Sequence, residues 1–157
     1  MTRKPSRSGA KEPLSQRPCG NGNFLVDLGM GDARAPAAGF CEVVFPEFVL
    51  PPQQLQEAGD VLPAPAGNAH LVLRRAATGA LDLYQWWQLA RVGGKPPPRR
   101  TVTVELLGPD LASTLMRWRF LKASPVGLAY SPLNALAPGL LFETLTLAFA
   151  GVEMELP

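Results

Sequence analysis

The strongest constraint on this chain is an alternation of period two in its second half. In Arg100–Leu107 (RTVTVELL), Val102, Val104 and Leu106 share one face, and Thr101, Thr103 and Glu105 share the other. Successive side chains of a strand point to opposite faces, so this pattern is a strand with one covered side. Leu115–Ala123 (LMRWRFLKA) alternates again, with Met116, Trp118 and Phe120 pointing one way and Arg117, Arg119 and Leu121 the other. Phe142–Glu155 puts Leu145, Leu147 and Phe149 on one face and Thr144, Thr146 and Ala148 on the other, and reads as one final strand. Such amphipathic strands suit antiparallel sheets with one solvated face.

The first half supplies shorter elements. Phe24–Leu28 (FLVDL) predicts a strand followed by a turn at Gly29–Gly31, and Gly39–Val49 predicts a second strand region. Pro46 denies that region one backbone donor, so it is expected at an edge or a bulge. Asn68–Arg75 predicts a third strand. Ala80–Val92 (ALDLYQWWQLARV) is the one helix signal, because Leu83, Trp86, Trp87 and Ala90 fall on a single stripe. Asp82 suits its first turn, and Gly93–Gly94 followed by Pro96–Pro98 ends it. Ser124–Gly139, dense in Pro and Gly, reads as a loop. The expected fold class is mainly β: a sandwich or barrel of antiparallel strands with one flanking α-helix. Trp118, at least one of Trp86 and Trp87, and Leu145 and Leu147 form its expected structural core.

At 157 residues the chain suits one domain with a substantial core. Residues 1–22 are rich in Pro, Ser, Gly and basic side chains, and bury too little to offset the entropy of ordering. They read as a flexible basic tail, with the β domain over 23–157. Five basic residues against one acidic give residues 1–20 a net +4, and the remainder a net −2. A basic tail of this kind either stays solvated or touches an acidic partner. Only 18% of residues are charged while 46% are hydrophobic. A charged fraction below the usual ~25%, without a membrane span, suits either a small apolar-rich monomer or a subunit with surface buried in contacts between copies. Leu50–Gly67 is a long Pro-stiffened loop, yet with Val49 it carries Leu50, Leu55, Val61 and Leu62, which a solvated loop does not need. These five residues are the expected assembly contacts.

No apolar run approaches the ~20 residues that span a bilayer; the longest are broken by Glu143, Thr144 and Thr146. The first residues lack the apolar centre of a secretory signal, so folding in the bacterial cytoplasm is expected. Cys19 and Cys41 are expected to be reduced there. One histidine and no CxxC motif argue against zinc.

The residues that carry chemistry do not converge. There is no phosphate-binding GxxxxGK[ST], no GxGxxG after a strand and no GxSxG. His70 has no partner at a telling spacing, and the pairs Glu42/Glu47 and Glu153/Glu155 read as solvated charges rather than an acid/base couple. Trp86 and Trp87 can stack a ligand, but their helical stripe favours the core. Arg117 and Arg119 form one polar strand face, suited to solvent, to a lumen lining or to an interface with an acidic neighbour. No catalytic residue, cofactor site or metal site is assigned, and the chain is expected not to be an enzyme.

As one ordered string the chain resembles the tail tube family of contractile phage tails and bacterial contractile injection systems. The resemblance runs through FLVDL at 24–28, GFCEV at 39–43 and LVLRRAATGALDLYQWW at 71–87. It continues through RTVTVELLGPD at 100–110, MRWRFLKASPVGLAYSPLNA at 116–135 and FETLTLAFAGVEM at 142–154. It implies a structural, tail-tube-like subunit of the inner tube, forming stacked hexameric rings around a conduit for DNA or effector protein. The implied partners are further copies, sheath and baseplate proteins and the cargo, with no membrane insertion of the free subunit. The implied location is a phage tail or a contractile injection particle. FVLPPQQLQEAGD at 48–60 replaces the acidic, Gly-rich stretch usual in the family, in the region through which family members contact neighbours. A tube-initiating, baseplate-proximal subunit is therefore the alternative. A monomeric ligand-binding β-sandwich is the rival from another class.

Overall fold

The computed structural model describes residues 18–29, 39–50, 69–92 and 99–156. Among these residues, seven strands and one helix follow in the order β1 (Phe24–Asp27), β2 (Phe40–Val44), β3 (Leu71–Ala76), α1 (Asp82–Arg91), β4 (Arg100–Leu107), β5 (Thr114–Tyr130), β6 (Phe142–Ala148) and β7 (Gly151–Glu155). Every described pairing is antiparallel, in the order β1-β4-β5-β6-β3-β2 with β7 also on β5. The fold is thus mainly β with one flanking helix, as the alternation predicts.

The strands divide into two layers that share β5. Its first half pairs with β4 and β7, and β1 extends that layer beyond β4. Its second half pairs with β6, which leads on to β3 and β2. The inner faces of both layers and the helix meet in one core that includes Val26, Leu73, Leu83, Trp86, Val102, Val104, Phe120, Leu145 and Leu147. These are the residues that the period of two, or for the helix 3.6, places on one side.

β2 stops at Val44, short of the expected Val49, and two later elements differ more deeply from expectation. Ser124–Tyr130 is not a loop but the second half of the 17-residue β5. Lys122 takes a left-handed φ of 52°, and the register slips between Pro125 and Gly127. The strand bends at these points and passes from one layer to the other. Pro125 lies in a half of β5 that is an edge in its layer and beside the register slip, the positions where a sheet tolerates proline. Phe142–Glu155 is likewise two strands. Phe149 and Ala150 break it where the chain crosses between layers, and Ala150 N–H donates to the Leu121 carbonyl at 2.9 Å. β6 and β7 together shadow β5 along nearly its whole length, so the final strand keeps one partner while changing sheets.

The helix is fixed by its buried face and by an ion cluster. Leu83 and Trp86 reach the core, and Arg100 lies 4.4 Å over the Trp86 ring. Arg75, on β3, is 1% exposed. It donates to Glu143 of β6 at 2.5 Å and to both carboxylate oxygens of Asp82 in the first helical turn. Burial alone pulls the Arg75 pKa down, but the hydrogen bonds and charges of Asp82 and Glu143 outweigh it and hold it above its ordinary value. One guanidinium therefore ties two strands and a helix together.

The expected core residues separate into two groups. Trp86, Leu145 and Leu147 are buried. Trp118 and Trp87 are only partly buried. Trp118 packs against the core edge with the Phe45 ring 4.8 Å away, in a cleft that remains open beside Cys19 and Cys41. Trp87 sits one residue, or about 100°, past Trp86 on the helix. It therefore lies on the flank, with Tyr84 at 6.2 Å and Arg91 at 5.4 Å.

Candidate functional site

What the fold presents to its surroundings is a charged sheet face, uncovered strand edges and two apolar ends. The charged face is the outer side of the β1-β4-β5-β7 layer. The period that sends Val104, Trp118 and Val152 inward sends Asp27, Thr103, Glu105, Arg117, Arg119, Glu153 and Glu155 outward. Register then pairs opposite charges: Arg117 stands between Glu105 on β4 and Glu155 on β7, and Arg119 faces Glu153. Arg117 Nε lies 3.0 Å from Glu105 and its Nη1 3.2 Å from Glu155. Arg119 Nη1 reaches both Glu153 and Glu155 at 3.5 Å. The Glu155 and Glu105 carboxylates hold the Arg117 pKa above its ordinary value.

Most of this network lines a shallow concavity of about 450 Å³ that also includes Leu25 and Asp27. Four carboxylates against two guanidinium groups leave the face at a net −2. Its ion pairs are solvated and contribute little to stability individually. What they set is the sign and polarity of the face. The pairs Glu153/Glu155 and Arg117/Arg119 were each legible in the sequence, but their meeting was not. The signal is an Arg-x-Arg on one strand opposite a Glu-x-Glu on another, which carries information only once the register is known.

The remaining candidates disperse. Glu42 and Glu47 are exposed on and beyond β2, and His70 lies just before β3. Cys19 and Cys41 are free thiols that line one cleft of about 510 Å³. Among the described residues no group of three or more His, Cys, Asp or Glu can hold a metal ion. No described helix is long and apolar enough to cross a membrane. Of the assembly residues, Val49 and Leu50 are exposed beyond β2, and Leu55, Val61 and Leu62 lie outside the described residues.

The layer that carries the charged face ends in β1 on one side and β7 on the other, and no further described strand covers either. Uncovered edges present unpaired N–H and C=O groups, ready to pair with another chain. Together with a polar outer face and apolar ends, they define a β-sandwich building block for larger assemblies. The family model of the T4-like virus tail tube protein gp19 matches residues 21–153, and the chain belongs to that family. It is a structural inner-tube subunit, part of a phage tail or contractile injection particle.

Solved structures agree in fold. The chain is similar to a protein of the PVC extracellular contractile injection system sheath-tube complex in its extended state. That match has a TM-score of 0.66 and 18% identity, and covers 92% of this chain and 95% of the other. It is similar to a protein of the anti-feeding prophage cap, with a TM-score of 0.67, 17% identity and coverage of 96% and 99%. Hcp1 from Flavobacterium johnsoniae matches with a TM-score of 0.51, 14% identity and coverage of 83% and 93%. A search of curated proteins finds no match.

Proposed function

We propose that copies of this chain close into hexameric rings by pairing β7 of one subunit with β1 of the next, and that the rings stack into a hollow tube. The observation that carries the reading is the coincidence of two uncovered edges with one charged face in the same layer. Joining the edges makes that layer continuous around the ring and abolishes its edges. The contact is heterologous, so a rotation that closes gives a ring. The outer face of Asp27, Glu105, Arg117, Arg119, Glu153 and Glu155 then lines the lumen.

A lumen of net −2 per subunit repels a phosphate backbone or an acidic protein surface rather than binding it. Cargo DNA or effector protein therefore slides without adhering. The helix side meets the sheath, and the particle's baseplate receives one end of the tube. The subunit acts mechanically, with no reaction of its own. The segment 50–67, with Val49, contacts neighbouring subunits, and residues 1–22 are a tail that the domain does not need.

Size-exclusion chromatography with negative-stain microscopy tests the reading. Rings with sixfold symmetry or short tubes are expected. Arg replacements at Glu153 and Glu155 are expected to leave rings intact while making the lumen bind nucleic acid in a salt-dependent way. A protein that stays monomeric at high concentration overturns the proposal.

A further inference from the structure

The β2-β3-β6-β5 layer has two ends, and each carries exposed apolar side chains that the core does not use. At one end the chain leaves β2 through Phe48, Val49 and Leu50, all at least half exposed. They line a groove of about 430 Å³ with Ala69 before β3 and Phe149–Val152 after β6. Glu47 is the one charged residue in its lining. At the other end, β5 and β6 are joined by residues 131–141 (SPLNALAPGLL), which contain no charged residue. Residues 132–140 are exposed throughout, so this connection stands clear of the body. It holds Leu133, Leu136 and Leu140 at 85%, 96% and 73% exposure.

The connection has a defined shape. Ser131 N–H donates to the Phe142 carbonyl, Phe142 N–H donates to the Ser131 hydroxyl, and Ala77 N–H donates to the Leu141 carbonyl. The Asn134 side chain accepts from Leu136 N–H at 3.0 Å. The register fixes the two clusters at opposite ends: Leu71 pairs with Leu147 near the groove, and Ala76 with Phe142 near the leucines. With six residues of β3 between them, the ends are roughly 20 Å apart along the strands.

We infer that these two ends are the halves of one axial contact, in which Leu133, Leu136 and Leu140 of one subunit seat in the Phe48–Leu50 groove of the subunit in the next ring. The occupant is a second copy because the clusters are unlike in shape and opposite in position. A separate partner at either end leaves the other uncovered, whereas contact between copies covers both. Exposed apolar side chains clustered in this way mark interaction sites. An unlike-to-unlike contact is heterologous, and with its two halves at opposite ends of the subunit it propagates as an open stack. Neither surface brings like charges together. The inference rests on the tube reading, but it assigns stacking to residues distinct from the lateral β1 and β7 edges.

Two experiments test it. The first replaces all three leucines (Leu133→Ser, Leu136→Ser, Leu140→Ser) in the full chain. Unchanged circular dichroism and melting temperature, rings retained and tubes lost are expected in the microscope. The second uses a Cys19→Ser/Cys41→Ser background with a short bismaleimide cross-linker. Chains bearing Val49→Cys and chains bearing Leu136→Cys should cross-link when mixed and neither alone; both changes in one chain should give an open ladder. Tubes of normal length from the triple variant, or tubes that form without the mixed cross-link, overturn the inference. So does self-linking of the Leu136→Cys chain. Wild-type rings that never stack overturn it and leave the lateral ring standing, whereas a wild-type monomer overturns the tube reading and this inference with it.

Discussion

Replacing Arg75 with methionine isolates the ion cluster that docks the helix. The Arg75 side chain is 1% exposed and that of Glu143 3%, so the substitution leaves a buried carboxylate without its cation. Removing one member of a buried pair costs about 3–5 kcal/mol, because the remaining charge keeps its desolvation penalty. Asp82 adds less. Its side chain is 36% exposed and sits in the first turn of the helix, where water and the helix N-terminus partly replace the lost partner. Asp82→Asn is therefore expected to cost about 1–2 kcal/mol.

The melting temperature of the dispersed Arg75→Met subunit should fall by roughly 6–20 °C, taking 2–4 °C per kcal/mol for this size. The double variant Arg75→Met/Glu143→Leu should recover most of the loss, because a buried pair only roughly balances its desolvation against an apolar replacement. Urea melts followed by far-UV circular dichroism, arranged as a double-mutant cycle, measure the coupling. A loss below about 1 kcal/mol for Arg75→Met, or strict additivity of the two changes, refutes the view that this cluster fixes the helix.

Trp86→Ala should cost about 3–5 kcal/mol in the same urea melt, and Trp87→Ala and Trp118→Ala distinctly less, since only Trp86 is fully buried. Equal losses at all three would place the helix face and the β5 edge wrongly. In the turn between β4 and β5, Asp110 accepts from the Ala112 and Ser113 N–H groups at 3.1 and 2.9 Å and from the Ser113 hydroxyl. The Ser113 hydroxyl and then these two amides lower its pKa from 3.8 to about 2. The turn is thus fully held above the ordinary value and loosens as pH falls towards about 2. An NMR titration of the Asp110 carboxyl with a midpoint near 4 would show that the turn is not formed. Exchanging residues 51–66 for a short Gly/Ser linker should leave a folded protomer by circular dichroism and abolish assembly in the microscope; normal rings and tubes would remove that segment from the interface.

Much of the fold was legible where a pattern is local. Arg100–Leu107 alternates without a break, and β4 has those bounds, because the period alone decides which side chains face the core. The helix was legible from Leu83 and Trp86, but the width of its buried stripe was not. Whether Trp87 is covered depends on what packs beside it, and the helix sequence contains no record of that. β5 defeated local reading. Pro125 and Gly127 break most strands, yet here one sits at an edge and the other beside Thr146, positions that exist only once β6 has paired.

The alternation in Phe142–Glu155 similarly conceals its crossing at Phe149 and Ala150, since both halves keep β5 as partner. Arg75 looked like one of two basic residues ending a strand, and became the most buried charge among the described residues only when Glu143, 68 residues away, was set against it. The amino-acid order determined which residues turn inward and, through its family pattern, what kind of subunit this is. Tertiary pairing alone decided which charges share the outer face, which edges stay open and which apolar ends lie opposite, because these depend on contacts between segments far apart in the chain.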